Sequence, residues 1–414
     1  MSTLFAESDT QELVARARAH QTPNYSQPPL FLARGEGVWV WDRDGKRYLD
    51  MFGGIAVNAL GHAHPRLVAA IRDQADKLCH VSNIFFHEPG LALMDELIAR
   101  SFADRVFFTN SGTEANEAAL KVARRFQTVV RGETARTEFL TFEHGFHGRT
   151  FAALTATAQP KYHKGFGPLL PGFHYAPYGD LEAAGRVMAE VGDRLAAVLV
   201  EPVQGEGGVR VPPKGYLSGL RRLCDEHGAL LMLDEVQTGV GRTGEWFAYE
   251  IDGVRPDVMS LAKGLGGGVP LGAMVCTEEV GQAFVPGTHA STFGGNPLAT
   301  RVGLEVMRTI GEEGLLDHIY EAGEYLGRGL QALCKEKPEL CRETRGYGLL
   351  RGLELDDSDP DFPGRVVAQA RDKGLLLNLV VGNTLRFAPA FIVQRGHIDT
   401  ALEMVAELLD SARA

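Results

Sequence analysis

Between residues 89 and 284, short apolar runs alternate with stretches of helical period, and each run ends in polar or Gly-rich residues. That alternation marks a mostly parallel sheet covered by helices, an α/β fold. It predicts strands at Arg105–Thr109, Phe139–Phe142, Ala196–Val200, Ala229–Leu233, Val258–Leu261 and Gly272–Val275. In such sheets, ligands collect beyond the carboxyl ends of the strands. The flanks read differently. Upstream, a helical pattern over Glu12–Ala19 gives way to the polar, Pro-containing stretch Gln21–Pro29 before alternation resumes at Gly37–Trp41. Downstream of Asn296, a long helical region leads to extended patterns at Gly346–Leu355 and Leu375–Leu379 and a last helix over Ile398–Ala412. The expected division is therefore an arm and part of a small domain in residues 1–88, a large domain in 89–296, and a C-terminal helix with the rest of a smaller α+β domain in 297–414.

A chain of 414 residues, 44% hydrophobic and 23% charged, is long enough to bury a large core. Its formal charge of -11 argues against a broad grip on nucleic acid or an anionic membrane, so the expected partners are small metabolites. The five cysteines are scattered and form no C-x-x-C pair, which suggests neither a disulfide framework nor structural zinc and points to a reducing cytoplasm. The opening residues lack a charged segment followed by an apolar run, and no stretch approaches roughly 18 uninterrupted apolar residues, so neither export nor membrane insertion is expected.

Three segments carry candidate chemistry. In residues 105–117 a strand runs through Asn-Ser-Gly-Thr-Glu into a helix; Ser111 and Glu114 fit a capping box, which leaves first-turn N–H groups free. With Gly112 permitting close approach and Thr113 adding a hydroxyl, this is a phosphate seat, although most capped helix starts are only structural. In residues 230–239 an apolar strand delivers Asp234 at its carboxyl end, where a buried carboxylate needs a positive partner or several hydrogen bonds. A protonated pyridine nitrogen is one such partner; a helix cap or structural ion pair is another. Gly239, Gly241 and Gly244 match G-x-G-x-x-G, but no good helix follows, so they read as a turn. In residues 260–272 Lys263 stands just past an apolar strand with a Gly-rich loop behind it. A lysine there is usually solvated; a desolvated one loses basicity and becomes a Schiff-base nucleophile at neutral pH. His62 with His64, and His144 with His147, find no further ligands in the sequence and read as satisfied loop histidines, so no metal is expected.

Taken in order, Ser-Gly-Thr-Glu-Ala, Asp-Glu-Val-Gln-Thr-Gly and Ser-Leu-Ala-Lys-Gly-Leu-Gly-Gly-Gly resemble the class III aminotransferases of fold type I. The likeness extends through Gly61–Pro65, His144–Thr150, Glu201–Gly208, Ser291–Pro297 and Leu385–Pro389, nearly the whole chain. It implies pyridoxal 5'-phosphate as cofactor, carried covalently on Lys263, which also moves the proton between substrate carbon and cofactor carbon. Asp234 is then expected to keep the ring nitrogen protonated, Gln237 to bond the ring oxygen, and Phe146 and Val236 to pack on the two ring faces. Glu235, between Asp234 and Val236, falls in the same cofactor-binding segment. Gly112, Thr113 and, from a neighbouring subunit, Thr292 are expected to hold the phosphate. An isologous homodimer with shared sites follows from that arrangement.

Within the class the resemblance is nearest to enzymes acting on N2-acetyl-L-ornithine in arginine biosynthesis. It implies that Arg149 clamps the donor's α-carboxylate and that Ser291 touches the substrate. An apolar Ile55, in Gly54-Ile55-Ala56-Val57, suits an uncharged acetamide. The expected cycle converts the donor to N-acetyl-L-glutamate 5-semialdehyde and then 2-oxoglutarate to L-glutamate. The glutamate α-carboxylate is expected on Arg386 once a salt bridge to Glu201 opens. Ornithine, succinylornithine and 4-aminobutyrate aminotransferases and aminomutases share nearly every motif. A catalytically silent cofactor-binding protein and a nicotinamide dehydrogenase are more distant readings.

Overall fold

A computed structural model describes residue 5 and residues 8–413. Residues 1–4, 6 and 7, on which much of the reading about an export leader rests, lie outside the described residues. Along the chain the strands are β1 (Leu32–Glu36), β2 (Trp39–Asp42), β3 (Arg47–Asp50), β4 (Arg105–Thr109), β5 (Glu138–Phe142), β6 (Phe173–Ala176), β7 (Leu195–Val200) and β8 (Leu230–Asp234). They continue as β9 (Val258–Leu261), β10 (Gly272–Cys276), β11 (Cys341–Tyr347), β12 (Leu350–Leu355), β13 (Leu375–Leu376), β14 (Asn378–Val380) and β15 (Thr384–Phe387).

The central sheet has seven strands in the order β4-β10-β9-β8-β7-β5-β6. Pairings from β9 through β6 are parallel, and β10 runs antiparallel to both neighbours. The expected mostly parallel, helix-covered sheet is what forms. Every residue of β7, β8, β9 and β10 is buried, because helices cover both faces; this is why these strands read as unbroken apolar runs. The edge strand β6, Phe-His-Tyr-Ala, is not among the strands the pattern predicts: it is short, and half its residues carry polar groups.

Two smaller sheets flank this one. In the order β1-β2-β3-β13, the parallel pairing of Leu375 with Leu49 joins the end of the chain to its beginning. The other, β11-β12-β15-β14, carries Arg386. The helical region after Asn296 is two helices, Pro297–Glu312 and Leu315–Glu336, broken at Gly314, whose φ of 62° is cheap only for glycine. Among the described residues, no helix is long and apolar enough to cross a membrane.

Candidate active site

The carboxyl ends of β4, β5, β7, β8 and β9 converge on a cavity of about 420 Å³. Gly112, Thr113, Phe146, Arg149, Asp234, Val236, Gln237 and Lys263 all line it. Past β4, Ser111 caps the helix Gly112–Arg125: its Oγ accepts the Glu114 amide at 3.4 Å. The Glu114 carboxylate reaches back to the Asn110 amide at 2.6 Å, one residue earlier than a strict capping box. Among the described residues, the amides of Gly112 and Thr113 bond to nothing, which leaves two donors and the positive helix end facing the cavity. The Thr113 hydroxyl is engaged elsewhere, with Thr150 Oγ at 2.9 Å.

At the end of β8, Asp234 is buried and its carboxylate is held on both oxygens. Oδ2 takes the Asn116 side-chain amide and His147 Nδ1, each at 2.8 Å, and Oδ1 takes the Val236 amide at 3.0 Å. Burial works against a charged His147, but the hydrogen bond and charge of Asp234 outweigh it and raise the imidazole above its ordinary value.

Past β9 the chain turns sharply at Lys263, whose φ of 42° is left-handed, and the glycines behind it complete a short helical turn. Strain of this kind collects where a side chain must be aimed. Burial brings the Lys263 ammonium down to about 8; Glu206 pulls it back up, and Arg386 pushes it down. The lysine is therefore partly neutral near physiological pH.

Arg386, 1% exposed, lies on β15 beside the cavity. Nη1 bonds Glu206 Oε1 at 2.6 Å and Gln237 Oε1 at 3.0 Å, and Nη2 bonds Asn378 Oδ1 at 2.5 Å. The expected Arg386–Glu201 bridge is not made. Glu201 directly follows β7, where its carboxylate accepts the amides of Phe146 and Gly205; burial raises its pKa to about 7. Five residues on, Glu206 has left the strand and reaches the arginine; Arg386 and Lys263 together outweigh its burial and hold its carboxyl below the usual range. At the rim, the Arg149 guanidinium lies 3.8 Å from the centre of the Tyr162 ring and 5.1 Å from that of Phe146.

The whole chain can be set beside known proteins. The family model for class-III aminotransferases matches residues 20–409. This chain belongs to the class-III aminotransferases. The acetylornithine aminotransferase of Myxococcus xanthus is 50% identical over 95% of this chain and 96% of its own, and that of Caldanaerobacter subterraneus is 46% identical over 97% and 100%. Among solved structures, the ornithine aminotransferase of Toxoplasma gondii ME49 superposes with a TM-score of 0.93 at 32% identity, covering 100% of this chain and 99% of that one. The acetylornithine aminotransferase of Elizabethkingia anophelis superposes at 0.87 and 31% identity, over 98% and 100%. The fold is thus fold type I, and the aminotransferase depends on pyridoxal 5'-phosphate.

The site's residues fit that cofactor. Two free helix amides suit a phosphate, Asp234 suits a ring nitrogen, and Lys263 is an amine of lowered basicity. Gly112 sits so close to Val236 that a Cβ would come within 2.7 Å of Val236 Cγ1, so the seat and one apolar wall are packed as a unit.

Five residues expected at the site of the aminotransferase do not line the cavity: Arg386, which stands beside it, Ile55, which is 42% exposed, and Glu235, Ser291 and Thr292. Glu235 points away, accepting Thr238 Oγ1 and the amides of Ala248 and Tyr249; adjacent residues of an extended strand end face opposite sides, so the neighbour of Asp234 is a structural anchor. Ser291 and Thr292 line a separate hollow with Phe107 and His289, where Ser291 Oγ accepts the Gly294 amide. Conversely, Glu206, His147 and Asn116 belong to the site although the sequence assigns none of them a role there. His62 bonds Asp50 at 2.8 Å, as a satisfied loop histidine does. His147 is satisfied too, but by the acid of the site, a partner 87 positions away that spacing alone does not reveal. The Gly239–Gly244 segment is a turn, as expected.

Proposed function

We propose that this aminotransferase moves the terminal amine of N2-acetyl-L-ornithine to 2-oxoglutarate, giving N-acetyl-L-glutamate 5-semialdehyde and L-glutamate in arginine biosynthesis. The observation that carries the substrate is the shared name, acetylornithine aminotransferase, of relatives 45–50% identical over more than nine-tenths of the chain. The cavity agrees with a donor that is anionic at one end and reactive at the other: Arg149 stands at the rim and Lys263 at the floor.

Bound pyridoxal 5'-phosphate supplies an electron sink for the charge left when a proton leaves the amine-bearing carbon. The free amides of Gly112 and Thr113 would hold its phosphate, with Thr292 of the partner subunit joining them. Asp234, fixed by His147 and Asn116, keeps a proton on the ring nitrogen. Phe146 and Val236 would pack against the ring, and Gln237 would hydrogen-bond its oxygen. Lys263 Nζ takes the proton from the donor carbon and returns it across the exchange. Arg149 orients the donor by its α-carboxylate. In the second half-reaction, Arg386 leaves Glu206 and takes the α-carboxylate of the incoming acid.

The assembly is a homodimer in the cytoplasm, each cavity completed by Ser291 and Thr292 of the partner. Support comes from the adjoining surface: Ile84, Phe85 and Phe86 are 80%, 67% and 106% exposed, and Asn83 bonds the backbone of Ser291 and Gly294. The large unit is residues 89–296, with the smaller one drawn from 1–88 and 297–414, which β3 and β13 join.

Adding acetylornithine, ornithine and 4-aminobutyrate in turn to the purified holoenzyme, and following the visible absorbance, tests the donor. Faster bleaching by ornithine than by acetylornithine rejects the proposed substrate; no bleaching by any amine rejects the enzyme.

A further inference from the structure

One hydrogen-bonded chain ties the phosphate seat to the loop bearing Arg149. Thr150 Oγ lies 2.6 Å from Glu117 Oε1, and a carboxylate oxygen accepts, so the Thr150 proton points at Glu117. Thr113 Oγ, 2.9 Å from Thr150 Oγ, therefore donates to it. The lone pairs of Thr113 Oγ face the amides of Arg149 and Thr150, at 3.2 and 3.3 Å. Glu117 Oε1 also accepts the amides of Ala152 and Ala153, at 3.1 and 3.3 Å, and so caps the helix Phe151–Ala156, whose own N-cap, Thr150, makes no such bond. Thr113 and Glu117 stand on successive turns of one helix, with the Gly148–Thr150 loop clasped against both. At Gly148, where φ is 135°, any Cβ would collide with Thr113 Oγ, so the close approach demands glycine.

We propose that Thr150, backed by Glu117, is a positioning residue that holds the phosphate seat and the carboxylate clamp in one register. Thr113 cannot shift toward a phosphate without pulling on the Arg149 amide, and the loop cannot drift without loosening the first turn of the seat. Cofactor phosphate and donor carboxylate are thereby sensed through the same two hydroxyls. This rests on the reading of Arg149 as clamp and of Gly112–Thr113 as seat.

Thr150→Val keeps the side chain's shape and removes the hydroxyl; Thr150→Ser keeps the hydroxyl. In the apoprotein, Thr150→Val weakens pyridoxal 5'-phosphate by about fivefold, the worth of one ordinary hydrogen bond, and leaves pyridoxal, which has no phosphate, unchanged. In the holoenzyme it raises KM about fivefold for a carboxylate-bearing amine and leaves KM for butylamine unchanged, with Thr150→Ser near the parent in both. In an Arg149→Ala background it adds nothing to the donor KM. Equal losses for phosphorylated and unphosphorylated ligand, or for both amines, overturn the proposal, since helix capping alone makes no such distinction. If Arg149→Ala raises the donor KM and Thr150→Val does not, the relay alone fails. If Arg149→Ala leaves it unmoved, the clamp reading falls and the proposal with it.

Discussion

Replacing Glu206 by Ala should change which substrate the cavity prefers rather than abolish turnover. Arg386 is 1% exposed, and its bond to Glu206 is 2.6 Å long, so an incoming α-carboxylate must displace a charge-assisted hydrogen bond in a nearly dry setting. Such a bond is worth about 1.5–3 kcal/mol net, which corresponds to roughly 10- to 150-fold in affinity. Without Glu206, the guanidinium is left buried and under-compensated, and a ligand carboxylate relieves that cost. The affinity for 2-oxoglutarate should rise by that factor. The terminal-amine donor should suffer, because its ammonium must then enter beside an unneutralised cation. Rapid-mixing absorbance of each half-reaction in isolation gives both rates, and their ratio should move toward the α-amino acid by at least about tenfold. A ratio within about twofold of the parent's would refute the gate. Glu201→Ala is the contrast: that carboxylate anchors the amides of Phe146 and Gly205, so its loss should slow both half-reactions together.

Further outcomes follow from the same geometry. Lys263→Ala should retain pyridoxal 5'-phosphate on the helix amides and Asp234 yet complete no transamination; turnover at the parent rate would exclude Lys263 as the proton carrier. Capture of the cofactor by apoprotein should speed up as pH rises through about 8, because burial lowers Lys263 from its ordinary 10.5 and only the neutral amine attacks; a rate flat from pH 6.5 to 9 contradicts this. The linked stability has a definite sign. Between about 8 and 10.5 the unfolded chain holds a proton that the folded one has released, so the apoprotein should gain stability as pH rises through that window, and Lys263→Met should remove the gain in thermal melts. Gly112→Ala should drive Val236 out of place, weakening the cofactor by about tenfold or more as overpacking does; an unchanged dissociation constant would show that the seat and wall are not packed together.

All central strands but β6 were legible as apolar runs, most plainly β7 to β10, which are buried on both faces. β4 and β9 match their sequence limits to the residue, and β5, β7, β8 and β10 differ from theirs by a residue at one or both ends. Lys263, Asp234 and Gly112 were legible because each stands at, or within three residues of, the end of such a run. What stayed hidden depends on contacts between distant segments. Glu201 and Glu206 stand in one stretch, Glu-Pro-Val-Gln-Gly-Glu, and only the packing of β15, 180 positions later, decides which reaches Arg386. His147 has the look of a loop histidine beside His144, while its partner is a carboxylate on another strand. Glu235 groups with Asp234 by adjacency, although alternation along an extended chain turns the two apart. A period-2 argument applied at the strand's end was the available signal.

The proposed gate and the proposed nucleophile share one carboxylate. Glu206 touches Arg386 and acts through its field on Lys263, raising the lysine's basicity, while Arg386 lowers it. With the pair intact, those two influences oppose each other, and burial does most to set Lys263 near 8. When a substrate carboxylate takes Arg386, it brings a negative charge of its own, so Lys263 again faces a compensated cation. The exchange of Glu206 for substrate at Arg386 is thus close to neutral for the lysine, and one amine can serve both half-reactions at one pH. Glu206→Ala breaks that balance in the substrate-free site, where it should drop the Lys263 pKa below about 8, and substrate binding should restore it. Removing Glu206 and Arg386 together should leave the lysine to burial and the charges of Asp234 and Glu201, so the double variant should capture cofactor with a pH midpoint closer to the parent's than Glu206→Ala does. A double variant shifted further than the single one would mean that Arg386 does not lower the lysine and that the opposed pair had been misjudged.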